Sequence, residues 1–202
     1  SASVGIADMI VTGMVDEGQI EQDEARKKIW MVDSRGLVTR SRSKTLQSHK
    51  KAYACDGDDA ANLLEVVKRI KPTVLIGASG QAGAFSKDVL AEMHRHCKEP
   101  VVFALSNPTS KSECSAEQAY RWTGGNAIFA SGSPFRPVRL KGRIFIPGQG
   151  NNMFIFPGIG LGAVASGARR VTDEMFFVAA KTLAQMVTDE ELEAGTLYPD
   201  LA

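Results

Sequence analysis

Short apolar runs alternate with amphipathic stretches along most of the chain. A short β-rich run, Ile29 to Asp33, is followed by a predicted turn at SRG. Four later runs have the length and composition of buried strands: TVLIGASG, which enters a glycine-rich loop, VVFALSN, AIFAS and GRIFIPG. Helical spacing of apolar positions predicts helices over about residues 59–70 and 84–96, and further helices after Ser115 and Thr172. Strands separated by helices of this length predict parallel β-α-β units with helices on both faces of the sheet. The expected fold class is therefore α/β, with a doubly wound parallel sheet.

Capping residues predict where several helices begin. Ser115 with Gln118 three residues later has the pattern of a capping box, as do residues 188–191. Thr172 is a favourable N-cap for the apolar helix that follows it. Pro72 ends the helix before it, because the residue preceding a proline avoids helical geometry.

Composition narrows the class of protein. The chain has 202 residues, 44% hydrophobic and 23% charged, which is enough to bury a core. Its net charge is +1 and its cations are scattered, which argues against a nucleic-acid partner or an anionic membrane surface. Glycines and Pro157 interrupt the longest apolar candidate, residues 153–168, so no membrane span is expected.

The cysteines and histidines argue against a disulfide frame and a zinc site. Cys55, Cys97 and Cys114 lack C-x-x-C spacing and leave one cysteine over, which is typical of a reducing compartment. His94 and His96 lie two residues apart on a predicted helix and so point to different sides of it. No signal peptide is visible. We expect a cytoplasmic protein, or one of an organelle matrix if an upstream segment carries a transit peptide.

Small and amide residues crowd the predicted carboxyl ends of the strands, where a doubly wound sheet binds its ligand. Those ends are residues 33–35, 77–80, 106–108, 131–133 and 148–152. The segment Gly77, Ala78, Ser79 and Gly80, with Gly83 a further three residues on, could bring backbone amides close to a phosphate. Its spacing matches neither the dinucleotide fingerprint nor a P-loop, and a tight strand-to-helix turn explains it equally well.

Asp33 and the polar residues after it allow two interpretations. Asp33 ends a strand roughly 28 residues after Gly5. Dinucleotide folds place the acid that binds the adenine ribose about 20 residues after their glycines, although an exposed aspartate at a strand end is also common. A hydroxyl and cations for a ribose 2′-phosphate, which an aspartate alone would repel, could come from Ser34, Arg35, Lys50 and Lys51. The alternative is a solvated basic loop.

Asparagines follow two of the predicted strands. Asn107, before Pro108, and Asn152 have neutral side chains that can orient a carboxylate or an amide. Asparagine is also a common structural residue of turns.

Taken together, these segments resemble one family in order and spacing. KIWMVDSRGLV, KPTVLIGASG, FALSNPTSKSEC, AIFASGSPF and PGQGNNMFIFPGIGLGA closely resemble the carboxyl-terminal half of malic enzymes. The resemblance runs over almost the whole chain. It implies a Rossmann-like NAD(P)-binding domain over residues 1–202, with carboxyl-terminal helices from about residue 148.

Malic enzymes convert L-malate to pyruvate and CO2 by oxidative decarboxylation, reduce NADP or NAD, and require Mg2+ or Mn2+. The resemblance implies that this chain binds the dinucleotide and helps to position malate within a longer polypeptide that forms a homo-oligomer. Because a serine follows the ribose-binding aspartate in NADP-using members, Ser34 favours NADP as the cofactor. Two alternatives stay open: a domain of another NAD(P)-dependent dehydrogenase, and a non-catalytic nucleotide-binding module.

The resemblance also assigns residues to the site. Asn107 and Asn152 contact substrate or the nicotinamide end of the cofactor, with Asn151 the weaker candidate. The Gly77–Gly80 segment lies along the dinucleotide, and Asp33 reaches the adenine ribose. Ser34 and Lys50 match positions typical of NADP-using members, and Lys51 could exchange roles with Lys50.

The first residues resemble the remainder of a phosphate-binding turn. Ser1 and Ala2 would belong to that turn, and the first strand of the nucleotide fold is expected upstream of this chain. The general base, the general acid and the metal ligands of the family are expected upstream as well. We therefore expect no catalytic and no metal-binding residue within this chain.

Overall fold

The computed structural model describes residues 2–18, 20–193 and 195–199. The chain divides after Pro72 into two compact units. The first unit contains the helices α1 (Ala2–Gly18), α2 (Gln22–Lys27) and α3 (Leu63–Ile70), the strands β1 (Val32–Asp33) and β2 (Gly36–Leu37), and 3-10 helices at Arg40–Arg42 and Ser48–Tyr53.

The core of the first unit gathers apolar side chains from α1, α2 and the segments after them. Its buried members are Val4, Ala7, Val11, Ala25, Met31, Val38, Leu46 and Tyr53. The Tyr53 hydroxyl donates a hydrogen bond of 2.5 Å to the Asp8 carboxylate of α1. Burial and this carboxylate raise the pKa of Tyr53. The bond ties the Ser48–Tyr53 turn to α1.

The β-rich run that ends at Asp33 forms a short hairpin instead of joining a parallel sheet. Val32 pairs with Leu37 and Asp33 with Gly36, both antiparallel. The chain reverses at the predicted turn, because Gly36 takes a positive φ of 96°. Of the run from Ile29, only Val32 and Asp33 have strand geometry.

The second unit contains the remaining elements. Its strands are β3 (Val74–Gly77), β4 (Val101–Ala104), β5 (Ile128–Ser131), β6 (Val138–Leu140), β7 (Arg143–Phe145) and β8 (Gly148–Gln149). Its helices are α4 (Lys87–His96), α5 (Ala116–Trp122), α6 (Phe156–Ala165), α7 (Asp173–Gln185) and α8 (Asp189–Glu193), with 3-10 helices at Thr109–Lys111 and Asn152–Phe154.

Four of these strands form a parallel sheet in the order β3-β4-β5-β8. The helices α4 and α5, which connect the first three strands, pack against each other. Connections between neighbouring parallel strands share one hand, which places both helices on the same face. Val102, Ala104, Leu90, Met93 and Ala119 are fully buried between the sheet and these helices. The α/β fold with a Rossmann-like parallel sheet is confirmed, and α4 and α5 cover one of the two faces on which helices were expected.

The predicted caps are confirmed, whereas two helices begin later than expected. Ser115 and Gln118 form a reciprocal capping box, and the Thr172 side chain accepts a hydrogen bond from the Met175 amide. The helix predicted over residues 59–70 begins at Leu63, and that over 84–96 begins at Lys87. Asn62 and Ser86 cap their first turns, and neither cap was anticipated.

The segment GRIFIPG contributes to two sheets. Arg143–Phe145 pairs antiparallel with Val138–Leu140, and Gly148–Gln149 becomes the last strand of the parallel sheet. Pro147 separates the two parts, since a proline cannot donate to a strand ladder. Within the described ranges, no helix is both long enough and apolar enough to cross a bilayer.

Candidate functional site

The β1–β2 hairpin positions Asp33 in the first unit. A Cβ atom at Gly36 would lie 2.0 Å from the carbonyl oxygen of Ala60, so only glycine fits there. The Leu37 amide donates to the same carbonyl over 2.9 Å, which anchors the hairpin. Asp33 therefore sits at a fixed point beside the turn formed by Ser34 and Arg35.

Two cations surround the Asp33 carboxylate. One guanidinium nitrogen of Arg42 lies 2.8 Å and 3.0 Å from its two oxygens, and Lys50 Nζ lies 3.2 Å from Oδ2. The Arg35 amide donates to Oδ1 over 3.0 Å. The side chains of Asp33, Arg42 and Lys50 are only 20%, 13% and 23% exposed, so these contacts are partly shielded from water.

The Asp33 carboxylate is ionised at neutral pH. Burial raises the pKa of Asp33, but hydrogen bonds from Arg42, the Arg35 amide and Lys50 outweigh it, and the net pKa lies below its ordinary value. One carboxylate thus faces two cations. An anion next to the cluster would meet attraction and not the repulsion of an isolated aspartate.

The other predicted residues of the first unit are more exposed. Ser34 and Arg35 are exposed at the hairpin turn. Of the two candidate lysines, Lys50 contacts Asp33, while Lys51 is exposed. Ala2 begins α1, and Ser1 lies outside the described residues.

Arg42 is a site residue that our sequence interpretation missed. Its second guanidinium nitrogen donates to the carbonyls of Gly36 and Leu37 over 3.2 Å and 2.7 Å. Arg42 therefore holds both the backbone of the hairpin and the carboxylate at its end. The only sequence signal is that it belongs to a basic stretch that follows Asp33, RGLVTRSRSK.

In the second unit, four of the predicted strand ends lie at one edge of the sheet because the strands are parallel. These ends are residues 77–80, 106–108, 131–133 and 148–152. The Gly150 amide donates to the carbonyl of Ser131 over 2.8 Å, and Gln149 Nε2 donates to the carbonyl of Gly132 over 3.4 Å. The loops after β5 and β8 are thereby joined.

The Gly77–Gly80 turn uses its amides within the protein. The Ser79 amide donates to Glu113 Oε1 over 2.9 Å, and the Gly80 amide donates to the Ser106 hydroxyl over 2.8 Å. The Gln81 amide donates to the Ser79 hydroxyl over 3.2 Å. These three amides are therefore not free to bind a phosphate. Of the two interpretations of this segment, their hydrogen bonds favour the tight turn over phosphate binding.

Glu113, a second residue that we missed, lies beneath this turn. It is completely buried, and a Cβ atom at Gly77 would come within 2.6 Å of its side chain. Burial raises the pKa of Glu113, but hydrogen bonds from Ser106 and Ser79 lower it by more, so the net pKa lies below its ordinary value. The carboxylate is ionised at neutral pH.

Asn107 is oriented by the loop after β5. The Ser133 hydroxyl donates to Asn107 Oδ1 over 2.5 Å, and Ser133 is itself buried. A Cβ atom at Gly132 would lie 2.9 Å from Asn107 Nδ2 and 2.3 Å from the Leu105 carbonyl. With Oδ1 engaged by Ser133, the exposed amide keeps its NH2 group available as a donor.

The two asparagines of GQGNN differ in their local roles. Asn151 caps the 3-10 helix Asn152–Phe154, since its side chain accepts a hydrogen bond of 3.0 Å from the Met153 amide. The exposed side chain of Asn152 makes no hydrogen bond to any residue that the structure describes. Asn152 is therefore the more available of the two amides.

The second unit also has an apolar groove away from the strand ends. The groove, of about 580 Å³, lies between α6 and α7. It is lined mainly by apolar side chains, including Ile159, Met175, Val178 and Leu183. This lining lacks the convergent polar groups that a dinucleotide requires, so we place the candidate site at the strand ends.

Two tyrosines of the second unit serve in aromatic packing. The Tyr120 ring stacks on Phe145 with 4.6 Å between ring centres, and burial raises the pKa of Tyr120 to about 12. The Tyr198 ring stacks on Phe154 at 5.1 Å. Neither arrangement is that of a proton donor near neutral pH.

Comparisons with known proteins identify the family. The family model of the malic enzyme NAD-binding domain matches residues 1–202. The chain is 54% identical to an NADP-dependent malic enzyme of Dictyostelium discoideum, over 100% of this chain and 37% of that protein. It is 52% identical to one of Vitis vinifera, over 98% of this chain and 34% of the relative. A chloroplastic NADP-dependent malic enzyme of Solanum lycopersicum is 51% identical, over 98% of this chain and 35% of its own length. The chain thus spans about a third of these relatives, and it belongs to the malic enzyme family, in which it corresponds to the NAD-binding domain.

Proposed function

We propose that the intact polypeptide converts L-malate to pyruvate and CO2 with reduction of NADP, and that this chain binds the dinucleotide and helps to position malate. The observation that carries the proposal is that the chain is 54% and 52% identical, over 100% and 98% of its length, to two proteins named NADP-dependent malic enzymes. The nicotinamide dinucleotide follows from the family, whereas the preference for NADP is part of the proposal.

The Asp33 cluster supports NADP over NAD. In this proposal Asp33 binds the hydroxyl groups of the adenine ribose, and Lys50 and Arg42 neutralise the aspartate next to a 2′-phosphate. Ser34 and Arg35, exposed at the turn, supply a further hydroxyl and cation. Two cations against one carboxylate make the cluster suitable for a dianionic group.

The strand ends of the second unit support the positioning of malate and the nicotinamide end. In this proposal the NH2 group of Asn107 donates to a substrate carboxylate or to the cofactor carboxamide, while Ser133 holds the amide in that orientation. Asn152 orients the same ligands from the neighbouring strand end, and Asn151 shapes its loop. Residues 77–80 line the dinucleotide. When bound, the dinucleotide supplies the hydride acceptor.

The positioning acts on geometry and not on proton transfer. Neutral amides hold the substrate carbon close to the hydride acceptor, which lowers the entropic part of the barrier. We assign the general acid and general base to the rest of the polypeptide.

The divalent ion is assigned there as well. In the described part of the chain, no group of three or more His, Cys, Asp or Glu side chains is arranged to hold a metal. Glu113, the buried acid at the strand ends, is already engaged by Ser79 and Ser106. We therefore derive no step through Mg2+ or Mn2+ from these residues.

The proposal extends to assembly and location. We infer that the intact enzyme is a homo-oligomer and works in the cytoplasm or in an organelle matrix. Sedimentation of the purified polypeptide and cell fractionation test the two statements.

The decisive experiment uses the intact polypeptide. NADPH and pyruvate are measured together after addition of L-malate, NADP and Mn2+, and both should form in equal amounts. Calorimetric titration with NADPH, which cannot accept a hydride from malate, should show tighter binding when malate and Mn2+ are present than when they are absent.

Each rival gives a different result. Another NADP-dependent dehydrogenase would bind the dinucleotide but form no pyruvate from malate. A nucleotide-binding module would bind NADP without turnover and without any gain from malate and Mn2+. Either outcome would overturn the proposed function.

A further inference from the structure

The carboxylate of Glu113 joins the loops that follow β3 and β4. Its Oε1 accepts hydrogen bonds from the Ser79 hydroxyl over 2.8 Å, the Ser79 amide over 2.9 Å and the Ser106 hydroxyl over 2.5 Å. The Ser106 amide approaches Oε2 at 3.4 Å. Since Ser106 also accepts from the Gly80 amide, one side chain fixes both strand ends.

The arrangement depends on a charged acceptor. A fully buried carboxylate is tolerated only when several donors converge on it, and here backbone and hydroxyl donors do so. A glutamine in its place would turn an NH2 group toward at least one of these donors. The turn and Ser106 would then lose part of their shared anchor.

The same carboxylate determines what the turn can bind. The amides of Ser79 and Gly80 are already engaged, and a negative charge lies directly beneath Gly77. A phosphate at this turn would meet repulsion and few free donors. The turn is suited to an uncharged part of a ligand.

We propose that Glu113 is a positioning residue for dinucleotide binding. Its carboxylate holds residues 77–80 and Ser106 as one preformed surface, and this surface contacts the ribose and carboxamide part of the dinucleotide and not its pyrophosphate. The inference rests on the proposed function, because that function assigns residues 77–80 and Asn107 to the cofactor. Glu113 touches no ligand in this scheme and acts through Ser79, Gly80 and Ser106.

The test compares Glu113→Gln with Glu117→Gln in the intact polypeptide. Glu117 is an exposed residue of α5 that pairs with Arg121, so its variant is a matched control. Titrations with NADPH and with NADH, followed by dinucleotide fluorescence, are made at a temperature where thermal unfolding shows every variant to be folded. Glu113→Gln should weaken both affinities by a similar factor of about ten, because the altered surface contacts what the two cofactors share. Glu117→Gln should leave both unchanged.

Ser106→Ala provides a second variant in case Glu113→Gln does not fold. It removes one donor to Glu113 and the acceptor of the Gly80 amide, and it should weaken both affinities several-fold. When both variants fold, the double variant should lose less than the product of the single losses, because the two side chains act through one contact.

The outcomes separate this inference from the proposed function. Unchanged affinities in folded variants, with only a lower unfolding temperature, would make Glu113 purely structural and overturn the inference. A loss confined to NADPH would also overturn it. A parent polypeptide that binds both dinucleotides but forms no pyruvate would refute the proposed function alone, while the variants still decide the role of Glu113. A parent that binds neither dinucleotide would refute both.

Discussion

The guanidinium of Arg42 lies within 3.0 Å of both carboxylate oxygens of Asp33, nine residues before it in the chain. The acid that the sequence predicts as a ribose ligand is therefore not an isolated negative charge. With Lys50 at 3.2 Å on the same carboxylate, the pair forms part of a cluster with excess positive charge. A cluster of this kind can accept the extra phosphate of NADP, which a lone aspartate would reject.

Lys50 is expected to distinguish NADP from NAD. Lys50→Gln removes a partly buried cation next to Asp33. It should raise the KM for NADP about tenfold or more, because the proposed charge-assisted contact with the 2′-phosphate would be lost. The KM for NAD should change by less than about twofold. Steady-state kinetics of the intact polypeptide with each cofactor provide the measurement.

Lys51→Gln is the matched control for Lys50. Lys51 is the next residue along the same 3-10 helix and is exposed, so its removal should leave both constants unchanged. Equal changes for NADP and NAD in the Lys50 variant, or a larger NADP effect in the Lys51 variant, would contradict the assignment.

Arg42 is expected to affect both cofactors. Arg42→Gln removes donors to the carbonyls of Gly36 and Leu37 as well as the contact with Asp33. The hairpin should lose about 1–3 kcal/mol of local stability, because partly buried acceptors are left without their partner. The KM for NADP and the KM for NAD should both rise, and hydrogen exchange in the hairpin should accelerate.

Arg40→Gln tests whether any arginine of this segment would have the same effect. The Arg40–Asp56 pair has side chains that are 69% and 81% exposed, and such pairs contribute little to stability. The Arg40 variant should resemble the parent. An Arg42 variant with unchanged hairpin exchange would show that Asp33 and the backbone do not depend on Arg42.

The sheet and its helices were predictable because their signals are local. Apolar runs, the capping box of Ser115 and the N-cap of Thr172 act within a few residues, and the structure confirms them. Arg42 and Glu113 could not be recognised in this way. The Glu113 carboxylate reaches Ser79, 34 residues away, and a buried acid has the same sequence appearance as an exposed one in a polar loop.

Charge at Glu113 should appear as a dependence of local stability on pH. The pKa of Glu113 in the folded state lies below its ordinary value of 4.5. Its contribution to the free energy of unfolding is therefore fully present above about pH 4.5 and is lost as the pH falls through the folded pKa. The dependence can reach about 1.4 kcal/mol per pH unit for one proton. Hydrogen exchange of peptides covering β3 and β4, compared at equal pH, should show a weaker acid dependence in Glu113→Gln than in the parent. Identical slopes in the two proteins would mean that Glu113 does not titrate differently in the folded state.

The adjacent asparagines should separate a ligand contact from a structural cap. Asn152→Ala removes an exposed amide that is unbonded within the described residues, so it should lower kcat/KM for malate about tenfold or more while the unfolding temperature stays constant. Asn151→Ala removes the cap on the Met153 amide and should lower the local stability of this loop by about 0.5–2 kcal/mol, with a smaller effect on malate. Malate kinetics and hydrogen exchange of the loop, measured on both variants, give a crossed comparison in which each variant is the control for the other. Unaltered malate kinetics in Asn152→Ala would show that Asn152 does not contact the substrate. A larger effect of Asn151→Ala on malate kinetics would assign the substrate contact to Asn151, because the capping amide would then have the role expected of the free amide.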